Sequence, residues 1–291
     1  TPWSLTDTLW NLLVSGTNYI SVRVYDNAGN VMVSTDVFYI LKDTVPPSVL
    51  DNQAGDDKWY KSDPGNIFDV DFYDYHSKLS TVTYYAYSQQ NKAGTLISSG
   101  NISGVYGFSS YTSNWGVDFD KLNEGYNYIT VVAKDIAGNT TEYIDVFYIK
   151  KDTSPPVIED LQEGDTNWYS LNPGNIFNVN FYDYGIGITT VSVKVTTGSD
   201  MTGTVLIDGS TYYYGTPTNQ INKFGFTDYM WSLLINGTNY VSVYAYDGLG
   251  NVSVSTDVFY VLKDTVPPSA ITTLVATTSL TQADEGSLYL S

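Results

Sequence analysis

The stretch NYISVRVYDNAGN (Asn18–Asn30) recurs as NYITVVAKDIAGN (Asn127–Asn139) and again as NYVSVYAYDGLGN (Asn239–Asn251). In the first copy Ile20, Val22 and Val24 alternate with Tyr19, Ser21, Arg23 and Tyr25, the period of two of a strand with one buried face. Ile129, Val131 and Ala133 keep that pattern in the second copy, as do Val241, Val243 and Ala245 in the third. Each copy ends in an Asp-x-x-Gly-Asn turn, whose Asp bonds downstream backbone while Gly and Asn accept the left-handed conformation. The copies begin 109 and 112 residues apart, so the chain is a tandem repeat.

Other landmarks keep the same step. KDTVPP at Lys42–Pro47 returns as KDTSPP at Lys151–Pro156 and as KDTVPP at Lys263–Pro268. WYKSDPGNIFDVDFYDY from Trp59 is matched 109 residues later by WYSLNPGNIFNVNFYDY from Trp168. In this segment Phe68, Val70 and Phe72 point inward, with Asp69 and Asp71 outward; the second copy keeps the apolar face and exchanges the outward pair for Asn178 and Asn180. The boundaries that follow are residues 1–43, the later part of a unit; 44–152 and 153–264, two complete units; and 265–291, the start of another. The three additional residues of the second unit fall between Tyr184 and Asn239.

Short strands about ten residues apart, punctuated by Gly, Asn and Asp turns, predict an all-β fold of two-sheet sandwiches. The helical signals are TDTLWNLLVSG from Thr6 and TDYMWSLLING from Thr227, a turn or two where the chain crosses between sheets. Of the 291 residues 42% are apolar, enough for packed cores; Cys is absent, so disulfides and thiolate metal sites are excluded. A net charge of -18 with only 13 scattered bases makes nucleic acid an unfavourable partner. No apolar run is long enough to span a bilayer.

The string Gly16, Asn18, Ile20, Val22, Val24, Asp26, Gly29, Asn30 resembles the G-x-N-x-h-x-V-x-h-x-D-x-x-G-N pattern (h apolar) of tandem bacterial immunoglobulin-like domains of surface proteins and adhesins. The later copies match, except that Tyr126 and Asn127 follow Gly125 without the Thr found elsewhere. The D-T-x-P-P linkers are similar to those between such domains, and the stretch from Pro267 resembles the first strands of a fibronectin type III domain. The resemblance implies a rod-like array of immunoglobulin-like β-sandwiches, extracellular at a cell surface, serving as stalk, sheath or filament. The alternative is a set of carbohydrate-binding accessory modules of a secreted or surface-attached enzyme.

The chain itself reads as non-enzymatic. Its one histidine, His76, lies in a polar stretch between strands, and no carboxylate pair stands apart from the repeated pattern. In an immunoglobulin-like sandwich the incoming linker, the loop between the second and third strands and the last hairpin loop share one end. That placement brings Asp43, Asp74 and Asp135 together in the first full unit, and Asp152, Asp183 and Asp247 in the second. Such triads suit calcium, a hard cation with six to eight oxygen ligands. The plainer reading is that each Asp only shapes its turn and the proline pairs alone, by fixing φ, stiffen the linker. No organic cofactor is expected.

A second candidate surface is an outward aromatic face, complete in Tyr240, Tyr244 and Tyr246 and partial in Tyr19 and Tyr25. It suits a sugar ring or a neighbouring copy of the protein; otherwise these are tyrosines favoured by strands. Sequons at Asn101, Asn139, Asn236 and Asn251 are expected by chance in a chain this rich in Asn, Ser and Thr. The fragment before Lys42 leaves Ile20, Val22, Val24, Phe38 and Ile40 to be covered, by the continuation of a longer array or by a strand donated from a neighbour.

Overall fold

The computed structural model describes residues 4–53, 57–162, 166–218 and 220–270. The proposed fibronectin-like start therefore lies almost wholly outside the described residues. Helix α1 (Asp7–Leu12) precedes an antiparallel pair, β1 (Gly16–Tyr25) and β2 (Val31–Lys42). The first full unit contains β3 (Ser48–Asp51), β4 (Trp59–Tyr60), β5 (Val70–Tyr73), β6 (Leu79–Tyr87), β7 (Leu96–Asn101), β8 (Ser110–Tyr111), β9 (Gly125–Asp135) and β10 (Thr140–Lys151). The second contains β11 (Val157–Asp160), β12 (Trp168–Tyr169), β13 (Val179–Tyr182), β14 (Ile188–Thr196), β15 (Val205–Thr218), β16 (Gln220–Ile221), α2 (Asp228–Leu233), β17 (Gly237–Asp247) and β18 (Val252–Lys263).

Both full units are immunoglobulin-like sandwiches of a five-stranded and a three-stranded sheet. The orders are β4-β10-β9-β6-β7 over β3-β5-β8 in the first, and β12-β18-β17-β14-β15 over β11-β13-β16 in the second. The apolar alternation fills the space between sheets: Phe68, Val70 and Phe72 meet Val82, Ile129, Val131 and Phe147, with Phe68 stacked on Phe147 at 4.5 Å. Phe177 and Phe259 repeat that stack at 4.3 Å. Each core is closed within its own unit.

The three-residue difference is a change of local structure. Where the first unit makes a 3-10 turn, Phe119–Lys121, the second inserts the six-residue α2, capped by the Thr227 side chain on Met230 N–H. Thr6 caps α1 in the same way. One detail of the alternation is altered by packing. Asp71, expected to face water, is buried, because β5 is the middle strand of its sheet and Asn52 and the Tyr73 hydroxyl fold over it to donate hydrogen bonds. Asn180 is buried at the equivalent place.

In the β1–β2 pair Val24 and Phe38 remain exposed, unlike their buried equivalents Ala133 and Phe147.

Candidate metal centres at the domain junctions

Each residue of the Lys-Asp-Thr motif has a separate task. Lys151 and Lys263 end β10 and β18 with their side chains buried. The Lys263 ammonium donates to the carbonyls of Trp231 (2.9 Å) and Leu234 (2.8 Å), the unsatisfied C-terminal end of α2, and lies over the Trp231 ring. Lys151 donates likewise to Phe119 and Leu122, at 3.1 and 3.0 Å. Lys42 donates to Trp10 and Leu13 in the first fragment. Burial holds Lys263 below the ordinary lysine range. The Thr that follows is held by the loop ahead of β9 or β17: Thr153 donates through N–H and hydroxyl to Glu124, and Thr265 through both to Asn236.

The Asp between them enters the junction. The structure brings Asp152, Asp183 and Asp247 together, and separately Asp43, Asp74 and Asp135; in each group one carboxylate oxygen per residue lies within 4.8 Å of the others. Oxygens sharing one calcium at about 2.3–2.6 Å are at most about 5 Å apart, so the spacing fits a common ion. In the second group exposure is only 2% for Asp152 and 3% for Asp183 and Asp247. Among the described residues no Lys or Arg pairs with any of the six carboxylates.

Backbone N–H groups aim these side chains. Asp183 Oδ1 accepts from Gly185 and Gly187, Asp247 Oδ1 from Leu249 and Asn251, and Asp152 Oδ2 from Ile186. In the first group Asp74 Oδ1 accepts from His76 and Lys78, Asp135 Oδ1 from Gly138 and Asn139, and Asp43 from Val45 and Ser77.

The two junctions are not electrostatic twins. Burial pushes the Asp152 carboxyl above the usual carboxylate value; the Ile186 N–H opposes this, and Asp183 and Asp247 add to it. Burial also raises Asp43, but hydrogen bonds from Ser77 and Val45 and the nearby His76 outweigh it and hold Asp43 below that value. The side chains explain the contrast. Gly185 stands where the first unit has His76, and a Cβ there would lie 2.1 Å from Asp152 Oδ2. The glycine lets the Asp152 carboxylate sink into the loop.

The tyrosines named from sequence lie on outward faces but differ in access. Tyr19 and Tyr25 are exposed, whereas Tyr240, Tyr244 and Tyr246 are half-buried, and the Tyr244 hydroxyl touches Met201 Sδ at 3.6 Å. A denser aromatic group on the first unit escaped sequence reasoning. There Trp59, Tyr126 and Tyr148 surround the Lys150 ammonium at 5.7–5.9 Å from their ring centres. The only signal for it is that these residues come from three strands whose pairing must be known first. Of the sequons, Asn251 is buried and Asn101 exposed.

Neither a protein-family model nor a curated protein sequence matches the chain. Among solved structures it is similar to the tetra-tandem repeat in the extending region of a large adhesion protein. That match has 18% identity and a TM-score of 0.32, covering 84% of this chain and 56% of that one. It is also similar to fibronectin(III)-like modules of Clostridium thermocellum CbhA, with 14% identity, TM-score 0.24, and 77% and 98% of the two chains covered. A third likeness is to the protocadherin gamma B4 extracellular domain, at 14% identity and TM-score 0.38, covering 85% of this chain and 38% of that one. The chain thus spans little more than half of the adhesion-protein repeat. No helix of the described residues is long and apolar enough to cross a membrane.

Proposed function

We propose that the chain is an extracellular structural and adhesive segment of a surface protein, a series of bacterial immunoglobulin-like sandwiches whose joints are stiffened by calcium. The observation that carries this reading is the Asp152, Asp183 and Asp247 triad, three carboxylates almost without solvent and, among the described residues, without a paired Lys or Arg. Like charges at that spacing repel in a medium less polarisable than water, and a divalent ion removes the cost. The triad joins the linker to two loops of the following unit, so the ion fixes the linker against the unit it enters. Repetition of the whole unit supports a spacer, which gains length by copying. The alternative, polysaccharide held on the Tyr240 stripe, has less support at that stripe because its three rings are half-buried.

Calcium titration into chelated protein tests the proposal. For a Kd of about 10⁻⁴ M, about 10 mM calcium stabilises by about 2.7 kcal/mol, which raises the melting temperature by several degrees. Asp152→Asn with Asp247→Asn should abolish that rise. An unchanged melting temperature and an unchanged solution-scattering length on adding calcium would sink the metal reading.

A further inference from the structure

The first full unit carries a surface that its repeat copies only in part. Register across three strands places Tyr87 of β6, Tyr128 of β9 and Tyr148 of β10 side by side. One step along β9 Tyr126 pairs with Lys150, which pairs in turn with Trp59 of β4. The Tyr126 and Tyr128 rings are 6.2 Å apart and within 14° of parallel, and Tyr126 is 47% exposed. Both rings line a groove of about 620 Å³ together with Gln89, Gln90 and Asn123. Among the described residues these three exposed side chains have no hydrogen-bond partner, although each offers a donor and an acceptor.

The second unit keeps the backbone and part of the aromatic group, with Trp168, Tyr240 and Tyr260 at the places of Trp59, Tyr128 and Tyr148 and Tyr240 6.1 Å from Tyr260, but it loses the rest. The loop after β6 has its counterpart after β14: Ser88 Oγ accepts the N–H of Thr95, and Thr197 Oγ1 that of Thr204. Gly198 and Ser199 replace Gln89 and Gln90, Ile235 replaces Asn123, Thr238 replaces Tyr126 and Thr196 replaces Tyr87. A spacer needs no such difference, whereas a ligand site is needed once.

We infer that the groove beside Tyr126 and Tyr128 is a binding site for a neutral polysaccharide. Tyrosine faces receive the C–H faces of sugar rings, and planar amides pair with neighbouring hydroxyls as donor and acceptor together. Beside its two tyrosines the lining is wholly polar, whereas the core of a protein interface is mostly apolar. It has no free cation for an anionic sugar: Glu124 lines it, Lys92 is paired with Glu142, and Lys150 is enclosed by rings and bonded to Asp57. The chain's charge of -18 also repels polyanions. The inference is independent of calcium at the junctions.

Affinity electrophoresis of the full chain in chelator, through gels containing mixed-linkage β-glucan, dextran or polygalacturonate, tests it. Retardation by at least one neutral glucan and not by polygalacturonate is expected. Tyr126→Ala and the loop pair Gln89→Ala with Gln90→Ala should each weaken it at least tenfold, while Tyr240→Ala in the other unit leaves it unchanged. The loop pair guards against misfolding of the strand variant. Failure of both neutral glucans to retard the chain overturns the inference. So does retention undiminished in Tyr126→Ala and the loop pair, or a preference for polygalacturonate. Tyr126-dependent dimerisation without glucan binding would assign the surface to a second copy of the chain instead.

Discussion

The Asn251 side chain donates to the backbone carbonyl of Asp152 at 3.3 Å and to the Asp247 carboxylate at 2.5 Å, joining two motifs that lie almost a whole unit apart in sequence. Asn139 does the same for Asp43 and Asp135, at 3.3 and 2.7 Å. The Asn that closes each turn therefore also holds the incoming linker. In Asn251→Ala a carbonyl loses its donor and the turn its brace. A loss of about 1–3 kcal/mol is expected in urea unfolding of the second unit. Asn30→Ala should cost less, since Asn30 is exposed and, among the described residues, is hydrogen-bonded within its own turn alone.

The two linker carboxylates predict opposite pH responses in metal-free protein. Asp152 is raised in the folded state, so its contribution is fully present below about 3.8 and is lost as pH rises through its raised value. Asp43 is lowered, so its contribution is present above about 3.8 and is lost as pH falls through its lowered value. Unfolding curves between pH 3 and 7 should lose the first slope in Asp152→Asn and the second in Asp43→Asn. Saturating calcium should reverse the first slope, because the ion favours the ionised carboxylate.

Lys263→Met keeps most of the side-chain volume and removes the ammonium. The carbonyls of Trp231 and Leu234 then lose their donor at the end of α2. Destabilisation of about 1–3 kcal/mol is expected by chemical denaturation. Wild-type stability would show that water replaces the ammonium there.

Gly185→Ala should act on the metal centre more than on the core. The new Cβ meets the Asp152 carboxylate, which must shift. We expect a cost of about 1–3 kcal/mol and a smaller calcium response than in the wild type. Calorimetric titration of both proteins reads the second effect directly.

Sequence period and repeat spacing were enough to read the sandwiches, because Ile129, Val131 and Ala133 alternate as cleanly as the buried face requires. The meeting of Asp152, Asp183 and Asp247 was also legible, since sandwich topology places linker, inter-strand loop and hairpin at one end. The role of Lys263 was not, because its partners are carbonyls at a helix end 29 and 32 residues away. Asp71 looked solvated because alternation tells only that it points away from the core, and not that Asn52 and Tyr73 cover it. The aromatic group of the first unit was hidden for a related reason. Counting along one strand favours Tyr240, Tyr244 and Tyr246, whereas Tyr87, Tyr128 and Tyr148 become neighbours only across strands.

The pairing of β10 with β4 governs how the first unit responds to tension. These strands run parallel, Lys150 beside Trp59 and Lys151 beside Tyr60, and the Asp152 N–H extends the ladder to the Tyr60 carbonyl. Stretching the unit by its ends slides the two strands past each other, so their bonds are strained together and must rupture as a group. In the second unit β12 and β18 repeat the arrangement, with Asp264 on the Tyr169 carbonyl. Force applied along the chain should therefore meet its main resistance in these short parallel ladders, the mechanical clamps of the two sandwiches.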